Sequence, residues 1–271
     1  MLPDMPIRSY TEPTAVLADL TRAGVALIDG VAGPLDLLGL ARSLGTVVPH
    51  PDSGPDGVTA IADRGTHDAA LAGFTRSALS PHTDRSGVAQ PPGLLLTTCG
   101  REPLSGGQPV LVDGRAVYDE LATTAPDALD ALHTPRSAMF GGADGHLGSV
   151  FTRHTDNVVA IRFRLDALAR FAPVAAPHLP ALRAAIRQHT ITLPAVAQTG
   201  YVLNNHRWLH GRLAYEGPRL MYRVMIELDP GVLPAGFNTT ESGRQGAAPS
   251  RAVGDCEPGQ PLGVLPEQQI T

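Results

Sequence analysis

Only two cysteines, Cys99 and Cys256, occur in 271 residues. That excludes a disulfide framework and points to a reducing, cytoplasmic compartment. Lysine is absent, so all 21 basic residues are arginine, and they are scattered along the chain. There is no basic patch to follow a phosphate backbone, and aromatic residues make up only 4%. Nucleic acid is therefore not an expected partner. No apolar run reaches the roughly 18–20 residues a membrane helix needs. The opening MLPDMPIRSYTEP carries acid and proline early and has no cationic start before an apolar block, so no secretory signal and no membrane partner are expected. No internal repeat is visible.

What is present suits a globular protein with a sizeable core: 43% hydrophobic residues, 17% charged residues and a formal net charge of −5. Apolar positions recur at helical spacing over 13–23, which ends at Gly24, over 34–45, which opens with Pro34, over two stretches within 116–133, and over 179–190. Between them lie short β-like runs at 25–30, 57–62, 93–99, 109–114, 149–153, 157–164, 199–205 and 219–228. Many short strands with turn-rich gaps and a few helices predict a mainly β fold with flanking helices, a sandwich or barrel. The order is not a regular βαβα alternation, which argues against a doubly wound parallel sheet. Residues 1–229 are expected to form a single domain. From 230 to 271 the chain is rich in glycine, proline and polar residues without periodicity, and an extended or mobile tail is expected there.

Chemistry concentrates in two places. LSPHTDRSG at 79–87 sets His82 and Asp84 on either side of Thr83. On an extended segment alternate residues share a face, so imidazole and carboxylate point the same way. Read alone, these are turn residues and a structural histidine. Two neutral imidazoles and one carboxylate on one face also make an open non-haem Fe(II) site. That reading needs a third ligand from a distant strand. NNHRWLHGR at 204–212 offers His206 and His210.

HTD at 82–84, SGGQPVLVDG at 105–114, NNHRWLHGR and PRLMYR at 218–223 together resemble the Fe(II)/2-oxoglutarate-dependent dioxygenases of the taurine dioxygenase and clavaminate synthase-like superfamily. The resemblance implies a double-stranded β-helix (jelly roll) with helices packed outside. It implies that His82, Asp84 and His210 are the metal ligands and catalytic centre, leaving His206 as a neighbour. Arg219 is implied to bind the far carboxylate of 2-oxoglutarate, since a planar, permanently charged guanidinium suits a buried carboxylate. Relatives often carry a threonine two residues after the Gly-Gly pair. Pro109 stands there in this chain and has no N–H to donate, so Gln108 is the candidate replacement. Arg223 and Arg76 are the candidates for an anionic group on the substrate.

The implied reaction couples oxidation of 2-oxoglutarate by O2, giving succinate and CO2, to hydroxylation of an unactivated C–H bond. Retention of a carboxylate at Asp84 sets the chain apart from halogenating relatives. The substrate is expected to be a small polar molecule, amino-acid-like or a natural product, and the oligomeric state is open. The loops at 63–80 and 140–156 are expected to cover the metal as lids. Oxidative cyclisation or desaturation with the same cofactors is the alternative. A jelly-roll protein that binds metal or ligand without turnover is another, and Pro109 is what favours it.

Overall fold

The computed structural model describes residues 5–66, 68–154 and 157–239. The fold is mainly β with helices outside. The larger sheet has seven strands. Ile7–Ser9, Val25–Asp29, Gly200–Asn204, Leu94–Arg101, Leu220–Glu227 and Thr46–Val48 lie in that order, and Thr59–Ile61 also pairs with Leu220–Glu227. Ile7–Ser9 runs parallel to its neighbour, and the other pairs are antiparallel. A four-stranded antiparallel sheet contains Thr190–Thr192, Pro109–Asp113, Trp208–Arg212 and Leu79–His82, in that order.

The two-residue period of a strand sorts the apolar residues into three layers. Leu94, Leu96, Val202, Val224 and Ile226 face the helices Pro13–Ala23 and Pro34–Leu44, against Val16, Leu20, Leu37 and Leu38. Their neighbours Leu95, Tyr201, Leu203 and Met225 turn the other way, against Leu111 and Trp208 of the smaller sheet. The far face of that sheet, through Val112 and Leu209, is covered by Val117, Leu121, Leu129 and Leu182 of the helices Gly114–Thr124, Pro126–His133 and Leu179–Gln188. Both faces of the central strands are thus buried. This is why they read as unbroken apolar runs such as GLLLTTC rather than as alternating ones.

Local signals set the helix ends. Pro13, Pro34 and Pro126 open their helices, where a missing N–H costs nothing. Gly24 closes the first at φ 70°, donating its N–H to the Leu20 carbonyl. Asp113 caps the helix that follows it by accepting from the Arg115 N–H.

The expected boundary at 229 does not hold as the end of packing. Phe237–Asn238 pairs with Val158 and Val159, Phe237 is buried, and the Asn204 side chain donates to the Pro234 and Gly236 carbonyls. Phe237, Leu233 and the Asn204 amide secure this stretch, too little to leave a periodic pattern in the sequence. The expected tail from 240 onward lies outside the described residues. Among the described residues no helix is long and apolar enough to cross a membrane.

Candidate active site

The strands Leu79–His82 and Trp208–Arg212 pair so that His82 lies directly opposite His210. Their ring centroids are 4.4 Å apart. His210 shares the inner face of its strand with Trp208, which belongs to the layer between the sheets. The His82 Nδ1 sits 2.9 Å from the Ser80 carbonyl oxygen. Beyond His82 the pairing with Trp208–Arg212 stops. Thr83 is buried, its N–H donating to the Phe163 carbonyl at 2.8 Å, and Asp84 lines the imidazoles' cavity.

Asn205 fixes the turn at Asp84. It is buried, accepts from the Asp84 N–H at 2.8 Å, and donates to the carbonyls of Asp84 at 3.0 Å and Pro92 at 3.1 Å. Nothing in the NNH stretch of the sequence reveals a partner so far upstream. Replacing it with alanine orphans buried groups and is expected to cost about 2–4 kcal/mol, from about 1 kcal/mol or more per lost bond. Thermal denaturation checks this, and an unchanged melting temperature would show that the clamp carries no stability.

His82, Asp84 and His210 line one cavity of about 470 Å³ at one end of the sandwich. The larger sheet supplies the opposite wall through Thr97, Tyr201, Met221 and Arg223. The loops flagged as lids both reach it, through Leu71, Gly73 and Phe74 on one side and Gly141, Asp144 and Gly145 on the other. Arg212 braces the first loop, donating from Nη2 to the carbonyls of Ala72, Gly73 and Thr75.

The electrostatics suit a cation site. Burial by itself raises the Asp84 pKa, but Arg223 first, then His210 and His82, outweigh it and bring it down to about 2. The Arg223 Nη1 lies 3.0 Å from the Asp84 Oδ2. Burial pushes His82 and His210 below the usual imidazole value, with Asp84 pulling against it, so both rings are neutral near neutral pH. His210 Nδ1 and Asp84 Oδ2 are buried with no hydrogen-bond partner. Neutral imidazoles with an ionised carboxylate are the donor set Fe(II) takes. With the carboxylate turned to Arg223, no three histidine, cysteine or acidic side chains among the described residues are grouped to hold a metal ion as they stand.

Arg219 is only 6% exposed and lines the same cavity. Its guanidinium faces the Tyr215 ring at 5.4 Å, makes no ion pair among the described residues, and leaves Nε without a hydrogen bond. A buried cation without a counter-charge is costly unless a ligand supplies one.

Two sequence expectations fail on position. Gln108 is not on the cavity wall. Neighbours on a strand face opposite ways, Pro109 is the one turned inward, and the Gln108 Oε1 is buried without a partner elsewhere. Arg76 is on the surface, with 58% of its side chain exposed and its Nε 2.6 Å from Asp63. His206 lines a different cavity, shared with Thr83 and Asn205 on the far side of the Asp84 turn.

Two further histidines set an acid limit. Burial first, then Arg223, holds His50 down to about 4; burial first, then His154 and Arg162, holds His206 there too. The unfolded chain protonates both below their ordinary value of 6.5 while the fold does not. Stability is therefore fully present above that value and falls as the pH drops from there toward 4. The urea midpoint of the metal-free protein is expected to be lower at about pH 5 than at about pH 7. A midpoint that does not move would contradict the burial of these rings.

A buried pair of imidazoles with a carboxylate, inside a mainly β sandwich and beside an unpaired guanidinium, defines a candidate dioxygenase. Residues 5–225 match the model of the taurine catabolism dioxygenase TauD, TfdA family, and the chain belongs to that family. That family makes it a dioxygenase. No curated protein matches it in sequence. Among solved structures it is similar to asparagine oxygenase (AsnO), with a TM-score of 0.67 at 16% identity over 84% of this chain and 82% of that one. It is also similar to the non-heme iron oxygenase OrfP in complex with Fe, succinate and (3S)-hydroxy-L-Arg, with a TM-score of 0.64 at 16% identity over 83% and 95% of the two chains. OrfP in complex with Fe and alpha-ketoglutaric acid aligns with a TM-score of 0.63 at 17% identity, over 83% of this chain and 95% of that one.

Proposed function

We propose that the enzyme hydroxylates an unactivated C–H bond of a small, polar, amino-acid-like substrate, with His82, Asp84 and His210 as the iron ligands and Arg219 as the anchor for 2-oxoglutarate. One observation carries the reading: two neutral imidazoles and an ionised carboxylate share a cavity with a buried guanidinium that makes no ion pair with any described residue. The two facing, largely antiparallel sheets with helices outside support the double-stranded β-helix expected from the sequence.

Bound iron and 2-oxoglutarate supply the means to activate O2, one oxygen atom entering the substrate as 2-oxoglutarate leaves as succinate and CO2. The chain's own residues do the rest. His82 and His210 offer neutral nitrogen donors and Asp84 an anionic oxygen. Arg219 presents a planar fork to the remote carboxylate, which pairs with it in a site where neither is solvated. Arg223 keeps Asp84 ionised through the close ion pair and lines the substrate side of the cavity. Pro109 contributes no donor, so the arginine carries the cosubstrate without the usual hydroxyl. The substrate class is supported by the similar oxygenases, whose structures hold hydroxy-L-arginine and 3-hydroxyasparagine.

Anaerobic addition of Fe(II) and 2-oxoglutarate is expected to give a metal-to-ligand charge-transfer band, and O2 is then expected to yield succinate. No band at saturating iron and cosubstrate would sink the reading. Mass spectrometry of the product separates hydroxylation, which adds one oxygen, from cyclisation or desaturation, which removes two hydrogens.

A further inference from the structure

The charges on the cavity wall do not all pair. Three carboxylates and five guanidiniums line it. Asp52 pairs with Arg64, Asp84 with Arg223, and Arg164 with Asp166. Arg212 is committed to backbone carbonyls of the first lid loop. Arg219 faces the cosubstrate in the reading above. That leaves one cation, Arg85, and one anion, Asp144. Neither side chain makes a hydrogen bond or ion pair with any described residue, and they do not pair with each other.

Their backbones are held close. Arg85 follows Asp84 directly, at φ 54°, a conformation uncommon outside glycine. Asp144 sits on the loop 141–145, which lies against the turn that carries Arg85. A Cβ added at Gly87 would meet the Gly141 Cα at 2.8 Å, and one added at Gly141 would meet the Gly87 Cα at 2.7 Å. Only two glycines permit that approach. Turn and loop therefore bring an unpaired cation and an unpaired anion to the same cavity beside the metal ligands.

Resting on the function proposed above, we infer that Arg85 and Asp144 are specificity-determining residues that read opposite charges on one substrate. Arg85 takes an anionic group near the metal, and Asp144 takes a cationic group at the mouth, where Asp144 is exposed. The preferred substrate is a zwitterion. A dicarboxylate leaves Asp144 facing like charge, and a simple amine leaves Arg85 without a partner.

The test uses the full-length, iron-loaded enzyme and a panel of free L-amino acids. Each is compared with its N-acetylated and its carboxyl-amidated form. Succinate release under O2 and perturbation of the anaerobic charge-transfer band are read together. At least one zwitterion is expected to respond, and blocking either charge is expected to weaken that response at least tenfold. Asp144→Asn and Arg85→Gln are each expected to raise the KM for that substrate at least tenfold while the Fe(II)–2-oxoglutarate band still forms. No response to any zwitterion, equal response after both charges are blocked, or a KM within twofold in both variants would overturn the inference and leave the oxygenase reading intact. Absence of the band in the wild-type enzyme would overturn the oxygenase reading, and this inference with it.

Discussion

His210→Ala is expected to abolish turnover, cutting succinate release about a hundredfold or more, while His206→Ala keeps measurable activity. Altering groups that merely orient metal ligands already costs about 10–100-fold, and removing a ligand should cost more. The two histidines are near neighbours in sequence, but the strand Trp208–Arg212 separates their surroundings. His210 sits across from His82 in the cavity that holds Asp84 and Arg219. His206 precedes the strand and lines another cavity. Iron content and succinate release of the two variants check this. Activity retained in His210→Ala and lost in His206→Ala would move the third ligand.

The second large effect belongs to Arg219. Truncating one partner of a buried, hydrogen-bonded charge pair costs about 2–5 kcal/mol. At about 1.4 kcal/mol per tenfold, Arg219→Ala should raise the 2-oxoglutarate requirement about 30-fold or more. Arg219→Lys should recover only part of the loss, because an ammonium cannot offer two parallel bonds to a carboxylate. Gln108→Ala should leave the requirement unchanged, since that side chain is not on the cavity wall. The 2-oxoglutarate dependence of succinate release decides all three. An unchanged requirement in Arg219→Ala would remove it from this part.

Much of this was legible in the sequence, for physical reasons that differ by residue. Helix starts at Pro13, Pro34 and Pro126 and the cap at Gly24 are local chemistry, so they read directly. His82 and Asp84 share a cavity through the turn that Asn205 holds, because the strand ends at His82; the alternation read from the sequence is not what sets their facing. Gln108 was misjudged because the pleat admits one of two neighbours to the cavity, and the sequence does not say which. Pro109, the residue without a donor, is the one turned inward. Arg76 was misjudged because its partner Asp63 lies on the same surface loop and competes with any ligand. The stretch around Phe237 escaped notice because its few packed residues carry no period. Arg85 and Asp144 stayed hidden because the sequence cannot show which charges lack a partner. The turn motif around the one and the GGADG run around the other did hint at unusual backbone.

The central claim is convergence of His82, Asp84 and His210 on one metal ion. A crystal structure of the iron-loaded enzyme with 2-oxoglutarate, grown without oxygen, tests it most directly. A single ion bound by all three side chains is expected, with the Asp84 carboxylate ligating it and Arg219 paired to the far end of the cosubstrate. An ion held elsewhere, or held with His206 in place of His210, would contradict it.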